Sequence, residues 1–141
     1  MRKILFIFLI LICCNNTCLS MSTSADDDFI DEKIKLDEIF YKASTESKIS
    51  TKDKRYINNL KQSVDTQKKS GNTALVPIYY KLGNIYRAVG MEDEAKSCYK
   101  TVIKYFNTPA LSKKSRQILN GMGATEKDEN GRTYVPLDKE D

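Results

Sequence analysis

The sequence predicts an all-α fold of about five helices, and three observations carry that prediction. Apolar residues recur at three- and four-residue intervals along most of residues 29–120. Glycines and short polar stretches separate these amphipathic segments, as they do at helix ends. Asn130-Gly131 is a turn signal, but its flanks are too short and too polar to predict a β-hairpin.

The clearest helical pair lies between residues 76 and 106. Two series of apolar residues have helical spacing: Val76, Tyr79, Leu82, Tyr86 and Val89, then Ala95, Tyr99, Val102 and Phe106. Gly90 lies between the series, where the end of a helix often needs a left-handed residue. Acidic residues 92–94 favour the first turn of the second helix because of the helix dipole. Thr108 and Pro109 then predict the start of a third helix.

Residues 29–43 predict an earlier amphipathic helix, followed by a loop at 44–51 and a second helix at 52–69. The first of these helices has apolar residues at Phe29, Ile30, Ile34, Leu36, Ile39, Phe40 and Ala43. The following helix begins at Thr73 or Val76. After Pro109, apolar residues at Leu111, Ile118, Leu119 and Met122 predict a short helix that covers the exposed apolar face of the central pair. Residues 29–120 therefore form the expected helical domain, and residues 121–141 are expected to be an acidic, mostly disordered tail.

The first residues of the chain resemble a secretion signal. Met1-Arg2-Lys3 is basic, and residues 4–14 are an uncharged apolar run too short to span a bilayer. One interpretation is cleavage before Met21, which removes residues 1–20. The other is a lipoprotein signal, because Leu11-Ile12-Cys13-Cys14 resembles a loose bacterial lipobox in which Cys14 is acylated.

Residues 21–28 suit a tether between such a signal and the helical domain. They are mostly small or polar, and they end with three consecutive aspartates. Localisation across the inner membrane, in the periplasm and lipid-anchored to the outer membrane, follows from the lipoprotein interpretation. Cleavage before Met21 would instead give a soluble periplasmic protein.

Residues 76–109 resemble one tetratricopeptide repeat, a helix-turn-helix unit of about 34 residues. The matching residues are Tyr79, Leu82, Gly83, Tyr86, Gly90, Ala95, Tyr99 and Pro109. In this family, small residues let the paired helices approach and tyrosines fill the space between hairpins. Val102 replaces the usual alanine, and Pro109 comes about two residues late. The late proline is similar to repeats of bacterial envelope proteins, among them the repeat-bearing lipoprotein of the BAM complex and the TolA-binding cell-division coordinator.

The resemblance also implies a candidate binding surface. In tetratricopeptide proteins the first helix of each repeat lines a concave groove, which here corresponds to Pro77, Tyr80, Asn84, Arg87 and Ala88. Asn84 matches an asparagine with which some repeats hold a peptide backbone or carboxylate, whereas Tyr80 replaces the lysine of those sites. Tyr80, Asn84 and Arg87 are the predicted groove residues, with solvent exposure as the simpler interpretation.

Composition argues against enzymatic chemistry. The chain has no histidine and no tryptophan, which removes histidine-based triads and the commonest general base, and no glycine-rich phosphate loop is present. We therefore expect no catalytic residue, metal site or cofactor. Cys98 is expected to be a small buried hydrophobe. No nucleic-acid partner is expected, because the signal directs the chain away from nucleic acid.

Charge is unevenly distributed along the chain. Residues 44–120 carry fifteen Lys and Arg against six Asp and Glu, whereas both flanking segments are acidic. Such a basic centre can attract anionic partners. The sequence thus favours a protein-binding adaptor of the bacterial envelope whose partner is another envelope protein or peptide segment, possible roles including outer-membrane protein assembly. A soluble periplasmic scaffold for cell-wall or division proteins, and a structural surface lipoprotein, are the alternatives.

Overall fold

A computed structural model describes residues 29–106 and 108–137, and this part of the chain is mostly helical. The five α-helices are α1 (Ile30–Glu46), α2 (Thr51–Gln67), α3 (Val76–Ala88), α4 (Glu92–Tyr105) and α5 (Pro109–Gly121). Single 3-10 turns at Lys68–Ser70 and Thr73–Leu75 connect α2 to α3, and a short antiparallel hairpin of β1 (Glu126–Lys127) and β2 (Thr133–Tyr134) follows α5. The all-α class is confirmed. The predicted signal, the tether and Cys14 lie outside the described residues.

Helix α3 is the centre of the domain. It packs along α1 and α4, and it also contacts α2 and α5, while α5 packs on α4. Its fully buried residues include Ile78, Leu82 and Ile85, so only one narrow face of the helix remains open. The core around α3 takes Ile57 and Val64 from α2, and further residues from α1, α4 and α5. The positions of α1 and α5 on α3 determine the shape of that open face.

The turn between α3 and α4 depends on Gly90, which adopts φ 76°. Gly90 donates its N–H to the carbonyl of Arg87, and Met91 donates to the carbonyl of Tyr86 at 2.9 Å. This pair of bonds satisfies carbonyls that a helix end leaves without partners, and the left-handed conformation it requires favours glycine. The predicted helix boundary at Gly90 is therefore confirmed.

A close contact between α3 and α4 depends on Gly83. A Cβ atom at this position would lie 2.8 Å from Cε1 of Tyr99. Tyr99 is fully buried, and its ring occupies the space that a side chain at Gly83 would need. The prediction that Gly83 lets the two helices approach closely is confirmed, and Tyr99 is the residue that uses the space.

Two details of the first helices differ from the prediction. Helix α1 continues to Glu46, so the loop covers residues 47–50 rather than 44–51. Ser50 begins α2: its hydroxyl accepts the N–H of Asp53 at 3.0 Å and donates to the Asp53 carboxylate at 2.7 Å. This reciprocal cap stabilises the first turn of α2. Ile34 was predicted within one apolar face, but it is 55 % exposed, because α1 covers the core with a narrow stripe of Leu36, Ile39 and Ala43.

The segment after α5 also differs from the expected disordered tail, over its described part. Asp128 accepts the N–H groups of Asn130 at 2.9 Å and Arg132 at 2.7 Å, which closes the turn of the hairpin. Val135, just after β2, is 6 % exposed and joins the hydrophobic core. Val135 and Asp128 thus hold in place a segment that was predicted to be mostly disordered because of its polar composition.

Within the described residues, none of the helices combines the length and the apolar character needed to cross a membrane.

Candidate functional site

Two cavities lie along the open face of α3. The smaller, about 290 Å³, is lined by Asp37, Phe40, Pro77, Tyr80, Lys81, Asn84 and Leu111. The larger, about 810 Å³, is lined by Tyr80, Arg87, Gly90, Glu92, Lys114, Gln117, Ile118, Gly121 and Met122. Both cavities include Tyr80, so they adjoin at this residue. We call them together the α3 groove; its floor is α3 and its walls come from α1 on one side and α5 on the other.

Tyr80 is held in position by the core beneath it. Its ring meets the buried ring of Tyr99 edge-on, with centroids 5.8 Å apart and an interplanar angle of 64°. This is a favourable geometry for two aromatic rings. Because Tyr80 remains only half-buried, part of its ring faces the groove while the rest packs against the domain. It is a fixed aromatic surface that a ligand could contact.

Asn84 has a structural bond that the sequence did not predict. The hydroxyl of Tyr99 donates to Oδ1 of Asn84 at 2.8 Å, which ties α4 to α3 beneath the groove. Burial raises the pKa of Tyr99 to about 12, with nearby Arg87 opposing the shift, so Tyr99 remains a donor at neutral pH. The Asn84 oxygen is thus engaged, and Asn84 can offer a ligand mainly the N–H groups of its amide.

The larger cavity carries uncompensated positive charge. Arg87 and Lys114 are exposed, and neither forms an ion pair with a described residue. The carboxylate in the same lining, Glu92, is 3.6 Å from the Lys96 ammonium. At the smaller cavity, Lys81 is paired with Asp37. The positive charge of the α3 groove is therefore concentrated at its Arg87 end.

On the side of α3 and α4 that faces α2, the side chains of Tyr79 and Cys98 are buried. Tyr79 is 1 % exposed and donates its hydroxyl to Asp65 of α2 at 2.7 Å, and Asp65 also contacts the Lys61 ammonium at 2.5 Å. Cys98 is 1 % exposed, and burial raises the pKa of its thiol to about 12. A protonated, enclosed thiol is a poor nucleophile, which agrees with the expectation of a small buried hydrophobe. Within the described ranges, no three His, Cys, Asp or Glu side chains group to hold a metal ion.

The predicted residues of α3 are mostly brought to one surface. Pro77 and Asn84 line the smaller cavity, Arg87 the larger one, and Tyr80 both. Ala88 differs: it packs against the core and lines neither of these cavities. The walls that α1 and α5 contribute were not predicted. Of the basic residues Lys113, Lys114 and Arg116 on α5, only Lys114 lines either cavity. Which side of those helices faces α3 depends on tertiary packing, for which the sequence has no local signal.

Comparison of the chain with protein-family models, with curated protein sequences and with solved structures gave no match.

Proposed function

We propose that this protein is a non-enzymatic adaptor that binds a segment of another protein in the α3 groove. The observation that carries the proposal is a fixed aromatic surface beside two cations that have no ion-pair partner among the described residues: Tyr80 lies between a partly apolar cavity and a cavity containing Arg87 and Lys114. Tyrosine and arginine are over-represented among residues that dominate binding energy at protein interfaces. The Tyr80 ring is already held against the buried Tyr99 ring, so little of its freedom is lost on binding.

The proposed resemblance to a tetratricopeptide repeat concerns the hairpin of α3 and α4. Helices α3 and α4 are consecutive, joined by the turn at Gly90, and packed against each other. Helices α1 and α2 do not pack closely against each other, so they are not a second hairpin of the same kind, but α1 and α5 both pack beside α3. Those three helices line the α3 groove. In repeat proteins this is the surface that binds partners.

The envelope location of the adaptor rests on residues 1–28, and assembly of outer-membrane proteins rests on the resemblance to the BAM-complex lipoprotein. With acylation of Cys14, the protein is a lipid-anchored outer-membrane adaptor. With cleavage before Met21, the better proposal is a soluble scaffold for cell-wall or division proteins.

Labelled fatty acid tests the lipid anchor: the parent chain should incorporate it, and the Cys14→Ala variant should not. A soluble mature protein that begins at Met21 would exclude the lipid anchor.

The binding proposal is tested by copurification of tagged variants. We expect Tyr80→Ala with Arg87→Ala to fold normally and to lose the envelope protein that copurifies with the parent, because both side chains line the groove. The matched control is Tyr41→Ala with Lys113→Ala, the same two kinds of change at exposed positions that line neither cavity. If the groove variant and the control retain the same partners, the binding site lies elsewhere.

A further inference from the structure

Resting on the proposed groove function, we infer that the groove selects a two-part peptide segment. One apolar side chain enters the smaller cavity, and one or more carboxylates bind at the larger cavity. The inference names the chemistry of the partner, which the groove function alone leaves open. It follows from three features: the lining of each cavity, the pairing of its charges and the distance between the two cavities.

The smaller cavity suits an apolar side chain. Phe40, Pro77 and Leu111 come to it from three different helices. The charges at its edge, Lys81 and Asp37, neutralise each other in an ion pair, so no net charge is left to attract an ionic group. Its volume of about 290 Å³ lies at the lower limit of about 300–1,000 Å³ for small-molecule pockets. A single side chain is therefore a better occupant than a whole metabolite.

The larger cavity suits a carboxylate. Arg87 offers a planar guanidinium that can bind a carboxylate through two hydrogen bonds, and Lys114 offers an ammonium from the facing helix. Glu92 would repel an anion, but its charge is offset by Lys96 at 3.6 Å. Gln117 adds an amide that can donate a further bond. The two cations have no described carboxylate to bind, and an acidic peptide would supply one.

The length of α3 sets the spacing between the two groups of the ligand. Pro77 and Arg87 are ten positions apart, which along an α-helix is about 15 Å. An extended peptide covers the same distance with about four or five residues at about 3.3 Å each. Tyr80 lies between, where its ring can contact the intervening backbone or side chain. Pro77 and Arg87 are the far ends of the two cavities on α3, so the favoured ligand has an apolar residue within about five positions of an acidic one.

Selection from random peptides displayed on phage tests this inference without knowledge of the natural partner. The purified protein should enrich sequences that carry an apolar and an acidic residue at that spacing. Binding of an enriched peptide should weaken about tenfold in Lys114→Ala, which loses one charge-assisted hydrogen bond, and at least as much in Arg87→Ala, which loses two. Added salt should weaken it as well. Lys113→Ala is the matched control, because its exposed ammonium is adjacent in sequence but lines neither cavity.

The outcomes separate this inference from the function on which it rests. Enriched peptides that lack acidic residues, or whose binding does not change in Arg87→Ala and Lys114→Ala, would overturn the two-part ligand. If Tyr80→Ala still abolished their binding, the groove would remain a peptide site. Binding to phosphatidylglycerol vesicles that depends on Lys114, with no peptide enriched over an unrelated helical protein, would overturn both statements in favour of a lipid surface.

Discussion

Tyr79 and Tyr80 are neighbours in sequence but belong to two different regions of the molecule. Tyr79 is 1 % exposed and donates its hydroxyl to Asp65, which also forms an ion pair with Lys61. Tyr80 is half-buried on the α3 groove, next to the unpaired cations Arg87 and Lys114. The same helix therefore has one face that stabilises the fold and another whose charges contribute little to it. Changes on the first face should cost stability, and changes on the second should cost binding.

The largest effect on stability should come from ionising buried thiol and phenol groups of the core at high pH. Burial raises the pKa of Cys98, Tyr86 and Tyr99 to about 12 in each case. In the unfolded chain these groups ionise at about 8.5 for the thiol and about 10 for the tyrosines. Because the folded pKa values are higher, their contribution to stability is complete below about pH 8.5 and is lost as the pH rises towards about 12. Urea unfolding midpoints measured across this range should fall; a constant midpoint would mean that these groups are solvated.

Truncation of Leu82 should have the next largest effect. Its side chain is fully buried at the centre of α3, so Leu82→Ala should cost about 2–5 kcal/mol of unfolding free energy, the usual range for cavities of this kind. Urea denaturation gives the value. Tyr41→Ala is the control: the side chain is 71 % exposed, and the change should stay within about 0.5 kcal/mol. Equal stability of the two variants would contradict the placement of Leu82 in the core.

A side chain at Gly83 should destabilise the fold by a different mechanism, overpacking between α3 and α4. A Cβ 2.8 Å from the Tyr99 ring forces α3 and α4 apart, and Gly83→Ala should cost about 1–3 kcal/mol despite the better helix propensity of alanine. In a double-mutant cycle, Tyr99→Leu should relieve part of that cost, because it removes the ring atoms in conflict. Strictly additive losses would show that Gly83 and Tyr99 do not compete for the same space.

The smallest effects on stability are expected for Tyr79→Phe and Tyr80→Phe, which compare the two neighbouring tyrosines directly. Tyr79→Phe removes the hydroxyl that donates to the Asp65 carboxylate, and it should cost about 1.5 kcal/mol, the low end for a bond to a charged group, because Asp65 is partly exposed. Tyr80→Phe should change the unfolding free energy by less than about 0.5 kcal/mol, as surface changes usually do. The pair is matched in chemistry, helix and sequence position. A larger loss of unfolding free energy in Tyr80→Phe than in Tyr79→Phe would mean that the groove side of α3, and not the core side, stabilises the fold.

The core residues of α3 and α4 could be predicted from the sequence, because the signals that mark them are local. Apolar spacing found Tyr79, Leu82 and Tyr99, and the glycine at 90 marked the end of α3. The edges of the domain could not be predicted in the same way. Whether Ile34 packs inward depends on how many neighbours α1 has, and Val135 folds back onto the core across the length of α5. Periodicity does not contain that information.

The candidate site was predictable only in part, for the same reason. Tyr80, Asn84 and Arg87 share one face of α3, which follows from helical geometry. That Asn84 is bound by Tyr99, and that Phe40 and Gln117 complete the walls, depends on how α1, α4 and α5 pack against α3. Lys113 and Lys114 are indistinguishable in sequence, yet only Lys114 lines the larger cavity.

That last difference allows the most direct test of the central claim, that the α3 groove is where the partner binds. A photo-crosslinking amino acid placed at position 114 points into the groove, and at position 113 it lies on the exposed surface next to it. Both positions are exposed, so neither substitution should disturb the fold. The crosslinker at position 114 removes the Lys114 ammonium, but the covalent bond traps the partner even when its affinity is about tenfold lower. Crosslinking in the cells that make the protein should join a defined partner from position 114 and not from position 113. The same crosslinks from both positions, or a partner joined only from position 113, would contradict the claim.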